Sequence, residues 1–206
     1  GNDTINGGDG ADTLNGDADV DTITGGEGAD IINGGAGIDV IILTETTAAI
    51  DVLTPGSSFA NRDTVTGFDL GTSADSINVT TATATGAVAQ NDLGSAVAIG
   101  GVAGAGKSII VDASGLMTIV DELVATGGDD TTIIPRASEL SALVTQAVGE
   151  VTNTAFLIHY DNDSNGTADS TLVVAEHGGG TEVMLLEGTL ATGLATSPAA
   201  GQIDIQ

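Results

Sequence analysis

A nine-residue repeat at the N-terminus constrains this chain more than any other feature of its sequence. An aspartate recurs at every ninth position, and an aliphatic residue follows each aspartate two positions later. The aspartates are Asp3, Asp12, Asp21, Asp30 and Asp39, and the aliphatic residues are Ile5, Leu14, Ile23, Ile32 and Ile41. A flexible glycine-rich linker has no reason to hold an aliphatic residue in this phase. The repeat therefore predicts one short strand per unit, with its large side chain pointing inward.

Glycines and aspartates occupy the rest of each unit. The complete units are Gly7 to Asn15, Gly25 to Asn33 and Gly34 to Ile42. Glycine permits a positive φ, which lets a tight loop turn its carbonyl groups toward one point. A further unit, from Gly16 to Thr24, has Asp17 and Asp19 where the others have glycine. Because aspartate tolerates the left-handed region better than most residues, we expect this loop to form as well.

The charge of the chain excludes several partners. Among 206 residues, 29 are acidic and three are basic, which gives a formal net charge of −26. Such a surface is repelled by nucleic acid and by anionic membranes, so we predict neither as a partner. No apolar stretch approaches the roughly 20 residues of a spanning helix, which argues against membrane insertion. The absence of cysteine excludes disulfides, thiolate nucleophiles and zinc–thiolate sites.

The same charge poses a folding problem, because like charges destabilise a compact state. Cations that neutralise the acids would remove this repulsion. Carboxylate and carbonyl oxygens are the ligands that Ca²⁺ prefers, and it takes about six to eight of them. The repeats therefore predict Ca²⁺ as the bound cofactor.

The repeat resembles the RTX (repeats-in-toxin) nonapeptide G-G-x-G-x-D-x-U-x, over about the first 43 residues. The resemblance implies a parallel β-roll in which two nonapeptides form one turn and calcium ions lie between loops 18 residues apart. It implies that Asp12 pairs with Asp30, Asp21 with Asp39, and Asp3 with Asp21. For the site of Asp12 and Asp30, it also implies the backbone carbonyls of Gly7, Asp9, Gly26 and Gly28 as ligands.

The chain after the repeats is rich in Thr, Val, Ile, Ala and Gly with frequent turn signals, which indicates further strands. We therefore predict a mainly β fold: an RTX β-roll at 1–43 and a β-rich capping and secretion domain at 44–206. One helix is expected after Pro135, because Leu140, Leu143, Val144, Ala147 and Val148 share one helical face.

The segment from Arg62 to Ile77 resembles the segment that follows RTX repeats in many secreted proteins and caps the roll. The resemblance implies that Val65, Phe68 and Ile77 form an apolar plug and that Asp63 or Asp75 adds oxygen ligands. An ordinary acidic hairpin is the alternative interpretation.

A P-loop pattern occurs at Gly101 to Ser108, GVAGAGKS. A P-loop must open a helix whose N-terminus faces the phosphates. Here Lys107 is followed by the β-branched run Ser108 to Val111, which predicts a strand. We therefore interpret the pattern as a glycine-rich loop between strands and predict no nucleotide.

An acidic loop lies between two predicted strands, Thr154 to Tyr160 and Ser170 to Val174. Its candidate oxygen ligands are Asp161, Asp163, Asn165 and Asp169. The final Glu of an EF-hand loop is missing, since Leu172 stands in its place. A weaker calcium loop and a plain turn both remain open. We expect structural roles for the two histidines, His159 and His177.

These features together predict a calcium-dependent folding and secretion module, without catalysis, at the C-terminus of an extracellular protein. The chain begins inside a repeat, so we interpret it as a piece of a longer protein. Its Thr- and Ala-rich composition resembles bacterial surface-layer proteins, which implies an S-layer or adhesin at the cell surface. The expected partners are calcium ions, the type I secretion machinery and copies of the chain in a surface array. The alternative is the tail of a secreted enzyme or toxin with its catalytic domain upstream.

Overall fold

The structure is a computed structural model. It describes residues 1–58, 61–70, 74–79, 83–84, 88–92, 98–99, 102–103, 107–111, 116–121, 154–160, 167–177, 180–194 and 202–205. Every secondary-structure element named in these ranges is a β-strand, which confirms the predicted mainly β fold. The helix expected after Pro135 lies outside the described residues.

Each coil of the N-terminal region contributes one strand to each of two parallel sheets. The first sheet contains β1 (Thr4–Asp9), β3 (Thr22–Glu27), β5 (Val40–Ile42) and β7 (Asp63–Thr66), side by side in that order. The second sheet contains β2 (Thr13–Asn15), β4 (Ile31–Asn33), β6 (Val52–Thr54) and β8 (Ser76–Asn78). The chain alternates between the sheets, so consecutive coils stack as the parallel β-roll that the resemblance implies.

The core of the roll is a double row of aliphatic side chains. In the first sheet, Ile23 lies opposite Ile41, and Ile41 lies opposite Val65. In the second sheet, the equivalent row is Ile32, Leu53 and Ile77. All six side chains are fully buried. Successive side chains of a strand point to opposite faces, so each three-residue strand has room for one inward residue.

Strands from the C-terminal half cover the end of this core. Strand β17 (Gly180–Glu187) pairs in parallel with β7 and places Leu186 opposite Val65. Strand β18 (Gln202–Asp204) pairs antiparallel with β8 and places Ile203 opposite Ile77. The predicted plug residues Val65, Phe68 and Ile77 are all buried, with Phe68 only 5% exposed. The distant strands thus protect apolar surface that the last coil would otherwise expose to water.

The first sheet continues beyond β17. The next strands are β16 (Ser170–His177), β15 (Thr154–Tyr160), β14 (Leu116–Asp121), β13 (Lys107–Val111) and β10 (Val88–Asp92), while β9 (Thr83–Ala84) also pairs with β15. Strands β11 (Ala98–Ile99) and β12 (Val102–Ala103) form a separate pair. Both residues that end the P-loop pattern, Lys107 and Ser108, lie in β13, so the predicted strand is confirmed. The predicted strand pair is also confirmed, since Tyr160 lies opposite Ser170.

Candidate metal centre

Two rows of aspartates follow the edges of the roll, where the chain turns from one sheet to the other. The first ladder consists of Asp12, Asp30, Asp51 and Asp75, and the second ladder consists of Asp3, Asp21, Asp39 and Asp63. Each aspartate precedes an inward aliphatic residue by two positions. The side chain that anchors each coil in the core therefore also places an aspartate at the edge.

The loops that carry the repeat aspartates adopt the left-handed backbone that their glycines permit. Gly26 and Gly28 have φ values of 108° and 114°. In the divergent unit, Asp17 and Asp19 take φ values of 70° and 82°. The expectation that this loop forms despite its missing glycines is confirmed. Asparagine and aspartate are among the few residues with a side chain that tolerate this conformation.

Hydrogen bonds join neighbouring coils at every step of the two ladders. The backbone N–H of Asp12 donates to Oδ1 of Asp30 at 2.9 Å. The N–H of Asp21 donates to Oδ1 of Asp39 at 2.9 Å, and the N–H of Asp3 donates to Oδ1 of Asp21 at 2.6 Å. The structure thus brings together all three aspartate pairs that the resemblance implies. One carboxylate oxygen of each pair already has a partner on the protein.

The second carboxylate oxygen, Oδ2, lacks a hydrogen-bond partner in most of the repeat aspartates. Oδ2 is buried and has no hydrogen-bond partner in five aspartates: Asp12, Asp21, Asp30, Asp39 and Asp63. A buried acceptor without a partner loses its hydration without compensation, at a cost of about 1–3 kcal/mol and more for a charged group. Native proteins keep such groups rare, and a role in binding an ion is one of the few explanations. A cation bound at each loop would supply the missing partner.

The glycines leave space only for the backbone around these oxygens. A methyl group at Gly25 would lie 2.7 Å from Oδ2 of Asp30, and one at Gly34 would lie 2.5 Å from Oδ2 of Asp39. A methyl group at Gly26 would overlap the carbonyl oxygen of Gly8, and one at Gly28 would lie 2.6 Å from the carbonyl oxygen of Gly10. A methyl group at Gly7 would overlap both the carbonyl oxygen of Gly25 and Oδ2 of Asp12, so the stacked coils hold a backbone carbonyl close to a carboxylate.

The candidate carbonyl ligands lie at the same edge as Asp12 and Asp30. Gly7 and Asp9 belong to the last half of β1. One coil further, Gly26 lies in β3 opposite Gly8, and Gly28 follows the end of β3. Within the described residues, no three acidic or histidine side chains converge on one point. Carbonyl oxygens and water would therefore complete the shell of an ion bound at a pair of aspartates, and such an all-oxygen shell suits the hard ion Ca²⁺.

Both ladders continue beyond the nonapeptide repeats, which sequence reasoning only partly foresaw. The N–H of Asp30 donates to Oδ1 of Asp51 at 2.8 Å, and the N–H of Asp39 donates to Oδ1 of Asp63 at 3.1 Å. These pairs are 21 and 24 residues apart instead of 18. Asp63 and Asp75 were candidates, whereas Asp51 was missed. The signal that could have found it is the triad aspartate–any residue–aliphatic, which persists at Asp51-Val52-Leu53.

Burial makes these later aspartates hard to ionise without a cation. Burial raises the pKa of Asp63 to about 7, and the neighbouring charge of Asp39 adds to the effect. Burial also raises the pKa of Asp51 to about 6, with a smaller contribution from the charge of Asp75. The N–H donors from the preceding coil oppose both shifts, but they do not outweigh the loss of water.

Two glutamates form hydrogen bonds between the first coil after the repeats and the repeat loop that precedes it by one coil. Glu45 accepts hydrogen bonds from the N–H of Gly28 at 3.0 Å and of Ala49 at 2.7 Å. Glu27 accepts from the N–H and the hydroxyl of Thr46 at 2.8 and 2.7 Å. These bonds to Thr46 lower the pKa of Glu27. The sequence analysis did not predict these hydrogen bonds, because Glu27 occupies the variable position of its nonapeptide.

The second candidate calcium loop is only partly described. Asp161, Asp163 and Asn165 lie outside the described residues. Asp169 accepts a hydrogen bond from the Ser170 hydroxyl at 2.9 Å. His159 donates from Nε2 to the carbonyl oxygen of Ala191 at 2.5 Å, which fits the structural role expected for it. His177 lies in β16 opposite Gly180.

The fold and the edges define a class of protein: a parallel β-roll with acidic, glycine-rich loops stacked along both edges. Within that class, residues 1–23 and 7–41 match the family model of the RTX calcium-binding nonapeptide repeat, in four copies. The N-terminal region of this chain therefore consists of RTX repeats, as the sequence predicts, and such repeats are calcium-binding motifs. No curated protein and no solved structure matches the chain. In the part of the chain that the structure describes, no helix has the length and hydrophobicity to cross a membrane.

Proposed function

We propose that this chain is a calcium-dependent folding module of an extracellular protein and that it has no catalytic activity of its own. The observation that carries the proposal is the row of buried Oδ2 atoms without partners, at Asp12, Asp30, Asp21 and Asp39. At Asp21, Asp30 and Asp39, this oxygen belongs to a carboxylate whose Oδ1 also accepts a hydrogen bond from the backbone of the coil before it. An ion bound at Oδ2 would therefore stabilise the stacking of two coils at once.

The assigned ligands are the carboxylates of Asp3, Asp12, Asp21, Asp30 and Asp39, with the carbonyls of Gly7, Asp9, Gly26 and Gly28. Extracellular calcium modules typically bind at about 10⁻⁴–10⁻³ M. A chain with this affinity would be only marginally stable in the cytosol, where free calcium is low, and would gain most of its stability after export. Ion binding would then supply folding free energy in the compartment where the protein works.

The proposal assigns different roles to the two regions of the chain. Residues 1–43 bind the ions, and residues 44–206 cap the roll and carry the signal for type I secretion. The pairing of β17 and β18 with the last strands of the roll supports the capping role. The alternative of a secreted enzyme or toxin would place catalysis upstream of Gly1, and assay of the full-length parent would decide between them.

The experiment that tests the proposal is far-UV circular dichroism of the metal-free chain, followed by titration with calcium to millimolar concentration. Magnesium serves as the control, because it demands a tighter octahedral geometry and keeps its water more firmly. We expect a calcium-specific gain of β signal together with heat of binding in calorimetry. A chain that takes up no calcium in calorimetry at millimolar concentration would overturn the proposal.

We further propose that the module works at the cell surface, in an array of copies of the protein. Exposed aliphatic side chains support this role. Val20 and Ile38 occupy the same loop position on neighbouring coils and are 50% and 46% exposed. Light scattering during calcium addition tests it, and a species that stays monomeric at high protein concentration would contradict it.

A further inference from the structure

The coil that follows the RTX repeats departs from the nonapeptide pattern and still keeps an unpaired carboxylate. Asp63 is 24 residues from Asp39, and the family match ends at residue 41. Nevertheless, the N–H of Asp39 donates to Oδ1 of Asp63 as in the repeats. Both residues are fully buried, and both Oδ2 atoms lack a hydrogen-bond partner. The feature that marks the repeat sites therefore recurs outside the repeats.

The other edge at the same end of the roll provides the contrast. Oδ1 of Asp75 accepts from the N–H of Asp51 at 2.9 Å, and Oδ2 accepts from the N–H of Asp69 at 2.8 Å. Both oxygens of this carboxylate are thus satisfied by the backbone. The first ladder therefore ends at Asp75, where both carboxylate oxygens accept hydrogen bonds from the protein. The second ladder ends at Asp63, where Oδ2 has no hydrogen-bond partner.

We propose that Asp39 and Asp63 hold a further Ca²⁺ ion, between the last RTX loop and the coil that follows it. Two buried carboxylates with one free oxygen each provide hard anionic ligands, which favour Ca²⁺ over softer metals. The ion would join the repeat region to the strand β7 that pairs with the C-terminal β17. This inference rests on the proposed calcium-dependent folding, and it places one ion outside the repeats.

The test compares Asp63→Asn with Asp75→Asn in the 206-residue chain, by counting bound calcium ions with calorimetry and native mass spectrometry. The asparagine at position 63 keeps a carbonyl oxygen for the N–H of Asp39 and removes the charge that an ion needs. We expect Asp63→Asn to bind one ion fewer than the parent chain, and Asp75→Asn to bind the same number. An unchanged count in Asp63→Asn would overturn the inference while leaving the proposed function intact. No calcium bound by the parent chain would overturn both.

A second measurement keeps the test decisive if Asp63→Asn does not fold. Crystals of the parent chain grown with terbium(III), a hard ion that replaces Ca²⁺, would locate the bound ions by anomalous scattering. We expect a peak between Asp39 and Asp63 and none between Asp51 and Asp75. Peaks between Asp12 and Asp30 without one at Asp63 would overturn the inference alone.

Discussion

The backbone N–H of Asp12 and the carboxylate of Asp30 join two coils of the roll across 18 residues of sequence. The N–H donates to Oδ1 at 2.9 Å, while Oδ2 of Asp30 is buried without a partner. In the Asp30 side chain, Oδ1 thus stabilises the stacking of the coils, and Oδ2 is available to bind an ion. This division allows the two contributions to be separated by substitution.

Asp30→Asn should weaken calcium binding much more than it weakens the metal-free fold. The amide oxygen can still accept from the N–H of Asp12, but the ligand charge is gone. We expect at least a tenfold loss of calcium affinity, which corresponds to about 1.4 kcal/mol. Calorimetry gives the affinity, and urea unfolding of the metal-free protein gives the stability. Asp30→Ala is the control, because it removes the hydrogen bond as well and should lower both quantities.

Gly26→Ala should disrupt the stacking of the coils, whereas Gly8→Ala should be milder. Both glycines have positive φ values, 108° and 94°, so either alanine carries a strain of about 1–3 kcal/mol. Only at Gly26 would the methyl group also overlap a carbonyl oxygen of the neighbouring loop, since Gly8 faces open space. Thermal unfolding in saturating calcium checks the difference. Equal losses of Tm in the two variants would contradict the argument.

The metal-free protein should lose stability as the pH rises from about 4 to about 7. The folded pKa of Asp63 is about 7 and that of Asp51 about 6, against 3.8 for an ordinary aspartate. A raised folded pKa means that the native state binds more protons than the unfolded state in this window, so the free energy of unfolding falls with increasing pH. Glu27, whose pKa is lowered, changes little above its ordinary value of 4.5.

Calcium should reverse this pH dependence, because the ion binds the ionised carboxylates and competes with protons. Urea unfolding at pH 5 and pH 7.5, in metal-free buffer and in calcium, measures both profiles. We expect the metal-free protein to be more stable at pH 5 and the calcium-bound protein to be more stable at pH 7.5. Parallel profiles in the two buffers would show that the buried carboxylates do not take part in binding.

Ile32→Ala and Ile31→Ala should differ sharply, although the two residues are adjacent. Ile32 is fully buried in the aliphatic row of the second sheet, while Ile31 is 52% exposed. Truncation of a buried isoleucine costs about 2–5 kcal/mol, and surface substitutions usually stay within about 0.5 kcal/mol. Chemical unfolding in calcium measures both variants. Similar losses in the two would mean that the aliphatic row is not the core of the roll.

Much of the repeat region was predictable from the sequence because its determinants are local. A nonapeptide contains its own strand residue, its own glycines and its own aspartate, so the periodicity indicates one strand per unit. The resemblance to the RTX nonapeptide adds the aspartate pairs. Even the divergent unit was predictable, since Asp17 and Asp19 can take the left-handed backbone that glycine usually supplies.

Asp51 continues the first ladder, but the nine-residue period of the sequence does not predict it. Its distance from Asp30 is 21 residues, because the coil at Thr44 to Ile50 is longer than a repeat loop. A roll tolerates such insertions, since loop closure costs only slightly more as the loop lengthens. Strand pairing then restores the register, with Leu53 opposite Ile32. A fixed period cannot reveal this pairing.

The sequence by itself determined the class of the N-terminal region, its aliphatic core and its calcium-type donors, because each lies within nine consecutive residues. Only the tertiary structure decided how the ladders end and what covers the core. Contacts between distant segments leave Oδ2 of Asp63 without a hydrogen-bond partner and give Oδ2 of Asp75 one. Such contacts also pair β17 and β18 with the last strands of the roll. Such contacts depend on which strands can bury apolar surface together, and that is a property of the whole chain.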